Sequence, residues 1–122
     1  MSVSSKYSKL VNLLYQQTGL KNLSWRDDEF EEDYRTQVGE FTVSIRSSTI
    51  DKRPVVKIAI FTGDGREIDT FTDEDIADVE PPTLHSYYAL MTELLSSVRR
   101  AATGADDVLD TIIEKLDDMP EF

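Results

Sequence analysis

Residues 55–71 read VVKIAIFTGDGREIDTF, and the fold turns on this stretch. Val55 to Phe61 is apolar on both faces apart from Lys57, which is the composition of a strand with neighbours on either side, so it is expected as the central strand. Thr62-Gly63-Asp64-Gly65 is a turn, because glycine takes positive φ without a steric penalty and Asp hydrogen-bonds its own backbone. Arg66 to Phe71 then returns antiparallel to the first strand.

Upstream, the same period of two recurs. Leu23 and Trp25 share a face, an acidic turn runs from Asp27 to Glu32, and Tyr34, Thr36 and Val38 form a second alternating set. Gly39-Glu40 is a tight hairpin that sets Val38 opposite Phe41, ahead of Val43 and Ile45. A polar loop carrying Lys52, Arg53 and Pro54 leads into the central strand, so the strands follow one another as a meander of about four. Before them, Ser4 or Ser5 caps a helix whose apolar side is Tyr7, Leu10, Val11 and Leu14, ending near Thr18 with Gly19 as a left-handed C-cap.

Downstream the period changes to 3.6. Thr72-Asp73-Glu74-Asp75 caps one short turn, Pro81-Pro82 holds the chain extended, and Thr83 is the next N-cap. Leu84, Tyr87, Tyr88, Met91, Leu94, Leu95, Val98, Ala101 and Ala102 keep helical spacing, the longest regular pattern in the chain. Gly104 breaks it, and Val108, Ile112 and Leu116 give a further helix its own stripe behind Asp106 and Asp107. The tail from Asp117 is expected to be loose, with Phe122 free to dock on a neighbour. The expected fold is therefore α+β: an N-terminal helix, an antiparallel meander of about four strands, and two C-terminal helices packed on one sheet face. With 122 residues, 39% of them hydrophobic, residues 1–122 form a single domain with one core.

Composition removes several chemistries. Without cysteine there is no disulfide scaffold, thiolate zinc site, iron–sulfur cluster or thiol nucleophile. Met-Ser-Val-Ser-Ser-Lys-Tyr has no charged-then-apolar signal character, and no apolar run approaches a membrane span, so a cytoplasmic setting without membrane contact is expected. The net charge of −11 is held mostly by residues 61–122, where 16 acids face 4 bases. Such a chain is repelled by phosphate backbones and anionic lipid, which makes direct nucleic-acid binding an expected absence.

No site residue announces an enzyme. His85, the one histidine, has no partner at catalytic or metal-binding spacing, and no nucleophile-elbow motif is present. The run Asp27-Asp28-Glu29-Phe30-Glu31-Glu32-Asp33 lacks the glycine and alternating ligands of a calcium loop, and Gly63-Asp64-Gly65 lacks the Gly-Lys-Ser/Thr ending of a phosphate loop. No catalytic, metal or cofactor residue is therefore assigned, and no cofactor is expected. Trp25, Tyr34, Phe41, Phe61, Tyr87 and Tyr88 are expected to pack between the sheet and the long helix, and Arg99-Arg100 to suit a helix C-terminus. The acids at Asp73, Glu74, Asp75, Asp78 and Glu80 are the candidate partner-binding set.

Leu23-Ser24-Trp25, the Phe41-Thr42-Val43-Ser44-Ile45 strand, the Gly-Asp-Gly turn and a Tyr-Tyr-x-Leu-Met-x-Glu-Leu-Leu helix closing on Arg99-Arg100-Ala101 resemble a group of small acidic bacterial proteins without an assigned activity. That resemblance covers roughly Leu23 to Leu116 and brings no catalytic residue with it. In size, charge and element order the chain is also similar to type III secretion chaperones, which implies a cytosolic, chaperone-like homodimer. The functional expectation is a non-enzymatic acidic module (adaptor, chaperone-like protein or inhibitor) that recognises a basic protein surface. Its alternatives are a nucleic-acid mimic, of the kind phage inhibitors use, and a metal-dependent hydrolase built on Asp27 to Asp33. A mimic needs its carboxylates in a row along one face, whereas a metal enzyme needs three or more converging on a cleft.

Overall fold

A computed structural model describes residues 2–120, so the expectation for Phe122 lies outside the described residues. The chain is α+β, with an N-terminal helix, one antiparallel sheet and two C-terminal helices. Helix α1 spans Val3–Gly19 and starts two or three residues earlier than expected, because the Ser2 hydroxyl, not that of Ser4 or Ser5, is the cap and accepts the Ser5 N–H at 3.2 Å. Its end also differs. Lys21, not Gly19, takes the left-handed conformation (φ 61°), while the Asn22 N–H reaches Gln17 O at 3.0 Å and the Lys21 N–H reaches Thr18 O at 3.1 Å. These are the two bonds of a Schellman cap, set two residues further on than the glycine suggests.

The sheet has five strands in sequence order, all antiparallel: β1 Arg26–Asp28, β2 Asp33–Val38, β3 Phe41–Ile50, β4 Arg53–Phe61 and β5 Glu67–Thr72. The additional strand is β1, which begins after Trp25. Leu23 and Trp25 thus precede the ladder, and Trp25 enters the core with its indole N–H donated to Thr18 Oγ1 at 3.1 Å. Val38 faces Phe41 across the Gly39-Glu40 turn as expected. The centre of the sheet is β3, with β4 one place off centre. The polar loop before β4 is in fact a two-residue hairpin in which Ile50 pairs with Arg53, and both Asp51 (φ 49°) and Lys52 (φ 67°) take positive φ. A primed turn of this type matches strand twist and normally recruits Asn-Gly, which is why Asp-Lys gave no hairpin signal.

One sheet face is covered. Val43, Ile45, Val56, Ile58 and Phe71 point to the side occupied by α1 and α2, and Tyr7 of α1 stacks on Phe71 with ring centroids 4.0 Å apart. Helix α2 spans Tyr87–Thr103 and buries Tyr87, Leu90, Met91, Leu94, Leu95 and Val98. Its cap is Ser86, whose hydroxyl accepts the Ala89 N–H at 3.1 Å, so Thr83 is not the N-cap and lies with Leu84 in the bends before the helix. The opposite sheet face carries Arg35, Ser44, Arg46, Lys57, Ala59 and Phe61. Phe61 lies there beneath the Arg35 guanidinium, 4.6 Å from ring centroid to Cζ, and not between sheet and helix. Phe41 and Tyr88 are likewise 40% exposed, so the aromatic core is Trp25, Phe71 and Tyr87, with Tyr7, Tyr15 and Tyr34 partly buried against it.

Helix α3 spans Ala105–Asp117 and corrects the expected packing of both C-terminal helices on the sheet: it has no buried residue and its substantial contacts are with α2 alone. Five strands at about 4.8 Å span roughly 20 Å, which leaves room for two helices about 10 Å apart. The places are taken by α1 and α2. No described helix is long and apolar enough to cross a membrane.

Candidate functional site

The acidic stretches have three different fates. In the first, the β1–β2 hairpin separates the carboxylates. Asp33 is buried and receives the Arg35 guanidinium at 3.0 and 3.2 Å, Asp28 stands 3.6 Å from Arg35 Nε, and the Asp28 carboxylate accepts the Glu31 N–H at 3.1 Å. These carboxylates, the Asp33 hydrogen bond first, hold the Arg35 pKa above its ordinary value. Phe30 stands 92% exposed at the hairpin tip. Among the described residues no three His, Asp or Glu side chains are gathered to hold a metal ion.

In the second, the candidate set at Asp73 to Glu80 is largely committed to the fold. A 3₁₀ turn at Asp73–Ile76 is capped by Thr72, whose hydroxyl accepts the Glu74 N–H, and by Asp75, whose carboxylate accepts the Thr72 N–H at 2.8 Å. Asp73 turns inward, 7% exposed, and its Oδ1 accepts the Val56 N–H at 2.8 Å. Glu74 takes a forked pair from Arg53 at 3.0 and 3.1 Å, which lowers its pKa below the usual carboxylate value. Only Asp78 and Glu80 remain as exposed members of the set without a hydrogen-bonded partner among the described residues.

The third stretch is α3, and it stands clear of the body. Gly104 serves both as the left-handed C-cap of α2 (φ 67°) and as the N-cap of α3, so one residue turns the chain out of the layer. At 100° per residue, Asp106, Asp107, Asp110, Glu114, Asp117 and Asp118 occupy one arc of the helix. Val108, Leu109, Ile112, Ile113 and Leu116 occupy the opposite arc of about 140°, each 46–58% exposed. Lys115 is the one base on the helix and sits at the edge of the apolar arc. At the foot of α3 lies an open cleft of about 530 Å³ with Trp25 and Thr18 on one side and Arg100, Gly104 and Asp107 on the other; Arg100 pairs with Asp106 there.

His85 is exposed in the approach to α2. Sequence pattern alone assigns Asp106 and Asp107 to helix-favouring charge and the apolar arc of α3 to the sheet face, and the structure leaves that arc exposed. The missed signal was the count of helices against the width of a five-stranded sheet. No known protein family, curated protein or solved structure matches this chain.

Proposed function

We propose that the chain is a non-enzymatic protein-binding module that recognises a basic partner surface in the cytoplasm, in the manner of an adaptor, a chaperone-like protein or an inhibitor. The observation that carries this reading is α3: six carboxylates along one arc of a helix on which no residue is buried. Carboxylates along a rigid rod create a focused negative field, which steers a basic partner into encounter and weakens as salt screens it beyond about 10 Å at 0.1 M. The recognition face thus moves from Asp73 to Glu80, where most carboxylates serve the fold, to Asp107, Asp110 and Glu114.

The test is capture from lysate by the whole chain, by a variant reversed on α3 (Asp107→Lys, Asp110→Lys, Glu114→Lys), and by one reversed at Asp78→Lys and Glu80→Lys. The expected result is a basic protein held by the wild type, released by salt and lost from the α3 variant only. Capture indifferent to both reversals and to salt overturns the reading. The row-like placement of the α3 carboxylates also favours a nucleic-acid mimic as the second reading. That version is supported if DNA or RNA displaces the chain from the captured protein.

A further inference from the structure

The acidic arc accounts for half of α3 and leaves the other half unexplained. Val108, Leu109, Ile112, Ile113 and Leu116, continued by Met119 at 61% exposure, form an apolar stripe on a helix whose substantial contacts are with α2 alone. An apolar patch of this extent on a small domain marks an interaction surface. A membrane is a poor occupant, since helices that lie on bilayers carry Lys and Arg on the polar face and this one carries carboxylates that anionic headgroups repel.

We propose that the stripe is covered by α3 of a second copy, the two helices crossing antiparallel about a two-fold axis near Ile112. Three features favour this occupant. Leu109, Ile112, Leu116 and Met119 follow a 3-4-3 spacing, the seam along which two helices interlock, with Val108 and Ile113 widening it on either side. The carboxylates of α3 lie on the far arc, so pairing buries no row of like charge and leaves both acidic faces outward. An antiparallel arrangement also opposes the two helix dipoles, each carboxylate-rich first turn lying beside the last turn of its mate. The stripes together bury on the order of 1,000 Å², the lower bound for a specific interface, so the dimer is a concentration-dependent one. Its symmetric form sets two acidic arcs back to back, although the dimer does not depend on what those arcs bind.

Sedimentation velocity across about a hundred-fold range of concentration tests the proposal, since mass action must shift a weak dimer over that range. The wild type is expected to move from the mass of one chain to that of two. Ile112→Ala with Leu116→Ala, which keeps helix propensity while removing the stripe's centre, is expected to stay at one chain throughout. Ile112→Asp with Leu116→Asp provides a second disruption, with circular dichroism confirming that α3 remains helical. The acidic-arc variant Asp107→Lys, Asp110→Lys, Glu114→Lys is expected to dimerise still, which separates this proposal from the partner-binding reading. A wild type that remains a single chain at every concentration overturns it. So does a dimer that survives both stripe variants, because its interface then lies elsewhere.

Discussion

Asp73 shows how a carboxylate that reads as surface charge can be a structural acceptor. Its Oδ1 satisfies the Val56 N–H at 2.8 Å inside the body, so Asp73→Ala leaves a buried donor unpaired and is expected to cost about 1–3 kcal/mol, seen as a lowered urea midpoint. Asp78→Ala, on the exposed side of the same segment, is expected to leave the midpoint in place. Tyr7 gives a pH signature. Burial, then the hydrogen bonds to Asp69 at 2.9 and 3.0 Å, raise its phenol above the ordinary value of 10.0. With the folded pKa above the unfolded one, the bond's contribution is whole below the unfolded value and is lost as pH rises through the folded one. Tyr7→Phe keeps the ring against Phe71 but removes this dependence, so the gap between wild type and variant should close as urea midpoints are followed from about pH 9 to pH 11. Tyr15, raised through its hydrogen bond to Glu93, titrates equally in both proteins and drops out of the difference. A gap that stays constant over that range would show that the Tyr7 phenol titrates alike in the folded and unfolded chain, and would overturn the linkage.

At the scale of elements, periodicity was readable and register punctuation was not. Leu94 and Val98, on the longest apolar pattern, are fully buried, and Leu94→Ala is expected to cost about 2–5 kcal/mol through lost burial and the cavity left behind. An unchanged denaturation midpoint would show that α2 does not seal the sheet. The strands around Gly39 and Gly63-Asp64-Gly65 were legible because glycine announces its turns. The Asp51-Lys52 hairpin, the Lys21 helix cap and the start of α2 at Ser86 were not, since ordinary residues there accept unfavourable backbone conformations or rival caps lie close by. That cost is testable. Lys52 sits at φ 67°, so Lys52→Gly removes left-handed strain of about 1–2 kcal/mol at an entropic cost of about 0.5–1 kcal/mol, and a net rise in thermal midpoint is expected. The acidic candidate site was legible as composition only. Which carboxylates are turned inward depends on where the Val56 N–H, the Thr72 N–H and Arg53 come to lie, and no local pattern states that.

As a whole molecule, the chain divides its labour at Gly104. Residues 2–103 contain every member of the hydrophobic core, while α3 contributes none and carries much of the net charge. A chain ended at Gly104 loses seven acids and Lys115, which takes the formal charge from −11 to −5 and relieves part of the self-repulsion that a strongly charged compact body carries. The shortened chain is therefore expected to fold cooperatively, with a thermal midpoint at least equal to that of the full chain measured at low concentration. The two should separate as concentration rises. A full chain that pairs through α3 gains stability by mass action, so its midpoint climbs with concentration, while that of the shortened chain stays level. Added salt should raise the midpoint of the full chain more than that of the shortened one, because there is more repulsion to screen. A shortened chain that fails to fold would contradict this division directly, since α3 would then hold contacts the body requires. A shortened chain whose midpoint follows concentration as the full chain's does would locate self-association on the body, and the apolar arc of α3 would need a different partner.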